Sequence, residues 1–302
     1  MERLKIHNSC FLLELREQMP DQLKFGLTAI NGGVTSYPES LVRLAQAAER
    51  AGFDSLWAGE HHVLAASSSL IPATSRYLNP IVALTFVAAH TRTIRLATGV
   101  LLLPQHQPLV LAKELASLDV LSGGRLMVGI GVGWAEAEFE ALGVPFHDRG
   151  ARTDEYLAAM RAIWSEDTPA YHGRYVSFEG VQAYPHPVQQ PTPPIVMGGR
   201  ALAVLRRTVE QAHGWYGYAL DLEETAKLLA ELRDAARRYQ RPTELGELEI
   251  SVAPRIPIDR DTAQRFAELG VHRLILIPPR EMDAPALERW VTTVGETLIG
   301  RV

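Results

Sequence analysis

The sequence has few of the features that mark secreted, membrane-bound or nucleic-acid-binding proteins. Its 302 residues include one cysteine, Cys10, which excludes disulfides and cysteine zinc sites. No apolar run approaches the roughly 18 residues that a membrane helix needs. Thirty Lys and Arg against 35 Asp and Glu give a net charge of −5 without long blocks of one sign, which disfavours nucleic acid and anionic membranes as partners. A soluble, cytoplasmic protein that acts on a small molecule is expected.

The first 22 residues differ from the rest of the chain. Acidic residues flank their short apolar run, and no small-residue cleavage site follows it, so they make a poor secretory signal. We expect residues 1–22 to be an N-terminal extension and residues 23–302 to form a single domain.

From residue 23 onward, short aliphatic runs alternate with amphipathic helical stretches. Capping boxes are predicted where Ser36 precedes Glu39 and where Asp221 precedes Glu224. Eight strands are predicted, at residues 23–30, 53–59, 94–103, 125–131, 194–199, 214–220, 248–254 and 271–278. Eight strand–helix pairs in a chain of this size predict an α/β fold of the (β/α)8 TIM-barrel type.

Residues 166–193 interrupt this alternation. They are rich in proline and aromatic residues, which predicts one short hairpin and an irregular loop inserted between helix four and strand five. The competing fold is a doubly wound sheet, whose first strand is followed by a G-x-G-x-x-G turn. Here Gly129, Gly131 and Gly133 run G-x-G-x-G and follow strand four, so the barrel is favoured.

Three titratable residues, Glu60, His61 and His62, directly follow the second predicted strand. Catalytic groups of a TIM barrel sit in the loops after the strands, so these residues are on the active face. Three interpretations compete: a solvated polar loop, a metal site, and an acid/base group. A metal needs further ligands, and the other strand ends offer no carboxylate or imidazole, so no metal site is predicted. No lysine lies late on a strand, which disfavours Schiff-base chemistry.

Glycines mark three other strand ends: Gly99 in strand three, the three glycines after strand four, and Gly198 with Gly199 after strand five. Ordinary turns explain any one of these sites. Together they favour a large planar ligand, because glycine permits close backbone approach and a helix that begins at Gly198-Gly199 offers N–H groups to a phosphate.

Longer segments resemble the bacterial luciferase-like monooxygenase family, and within it the branch that uses the deazaflavin coenzyme F420 more often than FMN. The likeness runs from Lys24 to about Leu298. Its most specific segments are SLWAGEHH, TGVLLLPQHQP, LAKELASLDVLSGGRLMVGIGVGWAEAEFEALGVPF, RTDEYLAAMRAIW and PPIVMGG. The resemblance implies an oxidoreductase, and by analogy a homodimer.

The resemblance assigns roles to particular residues. His61 falls on the histidine beside the reactive ring carbon, with Glu60 where the family more often has Asp, and Gly99-Val100 falls on a cis peptide that supports the ring. The implied cofactor-binding residues are Gly99, Val100, Gly131, Val132, Gly133 and Trp134 at the ring and ribityl chain, and Met197, Gly198 and Gly199 at the phosphate.

One departure bears on the substrate. Sugar-phosphate dehydrogenases of the family have a glutamate where this chain has Trp134, and their phosphate-binding lysines are absent, since Ala219, Asp221 and Arg255 stand in that region. A weakly polar small molecule is therefore expected. The substrate-side residues are predicted to be Trp134, His106 and Arg280.

The sequence thus predicts an F420-dependent oxidoreductase in which His61 handles the proton coupled to hydride transfer. Histidine suits this role because its ordinary pKa lies near neutrality. Glu60 is predicted to orient His61, and His62 to be a bystander. Two alternatives stay open: an FMNH2-dependent monooxygenase supplied by a separate reductase, and a non-catalytic flavin-binding barrel.

Overall fold

The computed structural model describes residues 22–66, 71–279 and 281–302. Cys10, Arg280 and nearly all of the expected N-terminal extension lie outside these ranges. Within them, no helix combines the length and the apolar character that crossing a membrane requires.

Parallel strands form one nine-stranded sheet. Its strands are β1 (Lys24–Leu27), β2 (Ser55–Ala58), β3 (Arg95–Thr98), β4 (Leu101–Leu102), β5 (Leu126–Gly131), β8 (Ile195–Gly198), β9 (Gly214–Leu220), β10 (Glu249–Pro254) and β11 (Arg273–Leu276). They are ordered β3-β2-β1-β11-β10-β9-β8-β5-β4, and a further pairing of β3 with β5 closes the sheet. The third predicted strand is divided into β3 and β4, so the sheet has eight strand positions. The predicted (β/α)8 barrel is confirmed.

Helices alternate with these strands as predicted. They are α1 (Pro38–Arg50), α2 (Pro80–His90), α3 (Pro108–Ser122), α4 (Glu136–Ala141), α5 (Arg149–Ser165), α6 (Leu202–Gln211), α7 (Leu222–Arg238), α8 (Arg260–Glu268) and α9 (Ala284–Thr297). The predicted insertion contains one short antiparallel hairpin, β6 (Tyr171–His172) with β7 (Ser177–Phe178), as expected. Glu155 of α5 accepts hydrogen bonds from the hairpin's backbone N–H groups, among them Tyr175 and Val176.

One of the two predicted capping boxes is confirmed. Asp221 caps α7, and the side chain of Glu224 accepts the N–H of Asp221 in return. The box predicted at Ser36 is wrong, because Ser36 ends a short 3-10 helix and its hydroxyl donates to the carbonyl of Gly33. Helix α1 begins instead at Pro38, whose fixed φ suits the first helical turn.

The chain divides into two compact units. One, called here the terminal unit, comprises the described parts of residues 1–28, 47–55 and 195–302. In it Arg273, almost fully buried on β11, is paired with Asp54 and Glu249 at 2.7 and 2.6 Å. His213 and His272 repeat one arrangement. The Nδ1 atom of each lies 3.0 Å from a backbone nitrogen of a strand, that of Ile195 at the start of β8 and that of Ile250, the second residue of β10.

The central unit comprises the described parts of residues 29–46 and 56–194. Strand β5 is buried along its whole length, which its continuous apolar sequence predicts. Trp164 of α5 is buried against α3 and donates its indole N–H to the carbonyl of Ala112. Glu60, His61, His62, Trp134 and the Gly99-Val100 peptide all belong to this unit.

Candidate functional site

A buried asparagine anchors the loop after β2 by hydrogen bonds. Asn31 is fully buried, and its amide nitrogen donates to the carbonyls of Gly59 and Leu78 at 2.8 and 2.7 Å. Its amide oxygen accepts the N–H of Gly59 at 3.2 Å. Asn31 therefore holds the backbone directly before Glu60, a role that sequence reasoning did not assign to it.

Glu60 pairs with His106 rather than with His61. Its carboxylate is buried, and Oε2 accepts the N–H of Leu102 at 2.7 Å and lies 2.9 Å from His106 Nε2. Its other oxygen, Oε1, lies 3.6 Å from His62 Nε2. The prediction that Glu60 orients His61 is wrong, since the side chains of adjacent residues point apart and Glu60 turns toward the loop after β4. The side chain of His62 thus lies beside Glu60.

His61 faces a carboxylate that sequence reasoning missed. Its Nδ1 lies 3.4 Å from Oε2 of Glu138, on α4. The other oxygen of Glu138 accepts the backbone N–H groups of His62 and Val63 at 2.6 and 3.3 Å. Burial raises the pKa of Glu138, but the hydrogen bonds from His61, His62 and Val63 outweigh burial and hold the pKa below its ordinary value. The carboxylate is therefore ionised at neutral pH.

Two aromatic rings border His61. The ring centres of Tyr77 and Trp134 lie 5.8 and 6.3 Å from that of His61, both in edge contact. The Trp134 side chain is 55% exposed, whereas Trp57 is fully buried beside Gly99. Trp57 therefore serves packing, and Trp134 is open to a ligand.

The strand-four glycines have a packing role that the sequence did not predict. The expected cis peptide at Gly99-Val100 is confirmed, and it separates β3 from β4. A Cβ atom on Gly129 would collide with the carbonyl oxygen of Thr98, and one on Gly131 would lie 2.6 Å from Val100. Both glycines thus make room for the neighbouring strand.

Beyond β5 the chain becomes accessible. Val132 and Gly133 are partly exposed, as are Gly99 and Val100, whereas Gly131 is buried. Arg149 donates to the carbonyl of Gly133 at 3.2 Å and so fixes this loop.

Next to Gly133 lies an amide without a partner. Among the described residues, neither polar atom of the Gln105 side chain has a hydrogen-bond partner, although both are buried. A Cβ atom added to Gly133 would lie 3.9 Å from the Gln105 amide nitrogen. Buried polar groups are normally satisfied, so this amide is suited to a ligand that carries both donors and acceptors.

The glycine pair after β8 differs from its prediction. Gly199 has a φ of +135°, which favours glycine, but its N–H donates to the carbonyl of Tyr216 at 3.3 Å and is not free. Helix α6 begins at Leu202, with no side chain capping it at Ala201. Met197 is buried in β8 and Gly198 is partly exposed. The helix that was predicted to begin at Gly198-Gly199 thus begins three residues after Gly199.

The Glu60 group also bears on the predicted absence of a metal site. That prediction assumed no further ligand near Glu60, yet His106 contributes an imidazole, and donor atoms of Glu60, His62 and His106 lie within 4.8 Å of one another. Contacts between the carboxylate and the imidazoles explain the arrangement, and we assign no metal to it. His106, predicted to face the substrate, instead directs its Nε2 at Glu60. Arg280, the third predicted substrate residue, lies outside the described residues.

Comparison with known proteins places these features in a family. Residues 23–290 match the model of the luciferase-like monooxygenases. The uncharacterized protein Rv0953c of Mycobacterium tuberculosis is 34% identical over 278 residues, which span 87% of this chain and 95% of that protein. The oxygenase component of the flavin-dependent trigonelline monooxygenase of Acinetobacter baylyi is 31% identical over 206 residues, 67% of this chain and 55% of its own length.

Solved structures agree on the fold. The coenzyme F420-dependent tetrahydromethanopterin reductase of Methanopyrus kandleri superposes with a TM-score of 0.74 at 16% identity, covering 92% of this chain and 98% of that one. An identity this low shows the shared barrel alone. The match of the family model along most of the chain shows more, and the protein belongs to the luciferase-like monooxygenase family of oxidoreductases.

Proposed function

We propose that this protein is an F420-dependent oxidoreductase that transfers hydride between the deazaflavin and a weakly polar small molecule. The observation that carries the proposal is the pairing of His61 with the buried carboxylate of Glu138, next to partly exposed strand ends. A histidine held in this way is suited to give or take the proton that accompanies hydride transfer.

The described residues fit a flavin or deazaflavin. The pyrimidine edge of either ring alternates hydrogen-bond donors with acceptors, and the unpartnered amide of Gln105 complements such an edge. When bound, the cofactor supplies or accepts the hydride. In the proposal, the central unit supplies the ring-side contacts, from Gly99, Val100, Gly131, Val132, Gly133 and Trp134.

Trp134 supports the choice of substrate class. Its exposed indole stands next to His61, where sugar-phosphate dehydrogenases of the family have a glutamate. An apolar aromatic wall at this position favours a substrate of low polarity over a sugar phosphate.

An FMNH2-dependent monooxygenase is the second candidate. It is favoured by the similarity to the trigonelline monooxygenase, whose description as an oxygenase component implies that a separate component supplies reduced flavin. The same His61 and Glu138 would serve either cofactor.

We also propose a homodimer. Helices α2 and α3 pack on each other and carry apolar side chains that are exposed in the single chain: Val82, Phe86, Val110 and Leu121. A second copy that covered them would remove this apolar surface from water.

Equilibrium titration with F420 and with FMN tests the proposed function, followed by turnover of reduced F420 against a panel of weakly polar aldehydes, ketones and enones. We expect tighter binding of F420, and a His61→Ala variant that binds it within a few-fold of wild type but loses turnover. Unchanged turnover in that variant would contradict the role of His61. Tighter FMN binding with oxygen-dependent turnover would establish the second candidate.

A further inference from the structure

We propose that Glu138 is a positioning residue that keeps the proton of neutral His61 on Nδ1 and leaves Nε2 as the atom that exchanges protons with the reacting groups. The inference rests on the proposed function for the role of Nε2, whereas the tautomer itself is a property of the protein without cofactor or substrate.

The two oxygens of Glu138 have separate tasks. Oε1 accepts the N–H groups of His62 and Val63, so the carboxylate is tied to the backbone directly after His61. This contact fixes the orientation of the carboxylate and leaves Oε2 facing Nδ1 at 3.4 Å. An ionised carboxylate only accepts hydrogen bonds, so a favourable contact requires the proton on Nδ1. At 3.4 Å the hydrogen bond is long, and catalytic hydrogen bonds commonly tighten when the reacting groups bind.

Among the described residues, none forms a hydrogen bond with Nε2 of His61. Tyr77 and Trp134 contact the imidazole through ring edges, and the described hydrogen bond of the ring involves Nδ1 alone. The neighbouring Glu60 is directed at His106 and His62. Glu138 is therefore the charged group that selects the tautomer.

The carboxylate of Glu138 is also more deeply buried than those of the other two glutamates of α4. Glu138 is 2% exposed, whereas Glu136 and Glu140 of the same short helix are exposed. Burying a carboxylate is unfavourable unless it is paired or hydrogen-bonded, and both backbone N–H groups and His61 supply that compensation. A buried carboxylate at the first turn of α4 also interacts favourably with the positive end of the helix.

Glu138→Gln is predicted to reverse the tautomer while the loop keeps its position. The amide oxygen of the new side chain can still accept the N–H groups of His62 and Val63, which turns its NH2 group toward His61. Because that NH2 group donates, Nδ1 must become the acceptor and the proton must move to Nε2. A histidine with its proton on the wrong nitrogen loses its acid–base function, so turnover should fall by about 100-fold or more at unchanged cofactor affinity.

Nitrogen-15 NMR of the cofactor-free protein near pH 8 is the direct test, with the His61 signals assigned by their loss in His61→Ala. We expect the Nδ1–H tautomer in wild type and in the matched variants Glu136→Gln and Glu140→Gln, and the Nε2–H tautomer in Glu138→Gln. A predominant Nε2–H tautomer in wild type would overturn the inference, and so would an unchanged tautomer in a folded Glu138→Gln variant.

The wild-type spectrum shows which tautomer of His61 is present even if Glu138→Gln does not fold. Failure of the proposed function gives a different result: turnover would survive His61→Ala, while the tautomer of His61 would still follow Glu138.

Discussion

The carboxylate of Glu60 lies 2.9 Å from Nε2 of His106, a residue 46 positions away, and not against its sequence neighbour His61. Glu60 comes from the loop after β2 and His106 from the segment after β4. The contact is shielded from water, since the side chains of Glu60 and His106 are 1% and 12% exposed. Hydrogen bonds to charged groups in such surroundings contribute more than those at the surface.

His106→Leu should destabilise the protein by about 1–3 kcal/mol, because it leaves the buried carboxylate with one hydrogen bond fewer. The double variant Glu60→Gln/His106→Leu should lose less than the sum of the two single variants, since it no longer buries a charge. Urea unfolding of the four proteins measures both effects. Strictly additive losses would show that the two side chains are not coupled.

Asn31→Ala should also lower the free energy of unfolding by about 2–4 kcal/mol, since it removes three hydrogen bonds and leaves the partly buried carbonyls of Gly59 and Leu78 without their donor. Asn79→Ala is the matched control: Asn79 caps α2 by accepting N–H groups of Ile81 and Val82, and such a cap contributes about 1 kcal/mol. Chemical denaturation compares the two variants. A loss at Asn31 no larger than that at Asn79 would contradict its anchoring role.

Protonation of His272 should destabilise the protein in mild acid. Burial lowers the pKa of His272 below its ordinary value of 6.5, and its Nδ1 accepts the N–H of Ile250 in the neutral form. The unfolded chain therefore binds this proton at a higher pH than the folded chain does. Stability is fully present above about pH 6.5 and decreases as the pH falls from there through the lowered pKa.

The His272→Asn variant tests this pH dependence, because an asparagine oxygen can accept the same N–H without titrating. Its free energy of unfolding should decrease less than that of wild type between pH 7.5 and pH 5, as measured by urea unfolding at each pH. The exposed His147→Asn serves as control and should follow wild type. Parallel curves for wild type and His272→Asn would assign the acid sensitivity to other groups.

Gly129→Ala should prevent folding or cost more than about 3 kcal/mol, because its Cβ would collide with the backbone oxygen of Thr98, which has no room to move. Gly59→Ala is a milder change, since its Cβ would lie at an ordinary 3.4 Å from the carbonyl oxygen of Gly99. Thermal unfolding and soluble yield compare the two. A Gly129→Ala protein as stable as Gly59→Ala would contradict the packing role.

Periodic features of the fold could be predicted from the sequence, because they depend on neighbours along the chain. The capping box at Asp221 is local and was predicted correctly, and so was the hairpin of the insertion. Ser36 shows the limit of such patterns: the Ser-x-x-Glu string is present, but Pro38 offers the chain another helix start.

Residues that meet across the fold could not be predicted in the same way. Glu136, Glu138 and Glu140 are equivalent in the sequence, and only packing buries Glu138 against the loop after β2. The role of the β5 glycines also depends on packing across the fold. Thr98 and Val100 approach them closely and leave no room for a Cβ atom. The family resemblance located the loop of His61 but not the side chains that hold it.

The loop after β2 is held by Asn31, by the backbone of β4 and the imidazole that follows it, and by Glu138, whereas Tyr77 and Trp134 contact His61 through ring edges. Redesign can exploit this asymmetry. Substitution of the two aromatic residues should reshape the room for a substrate while the reacting histidine stays in position. Changing any of the anchoring groups would instead displace the histidine itself.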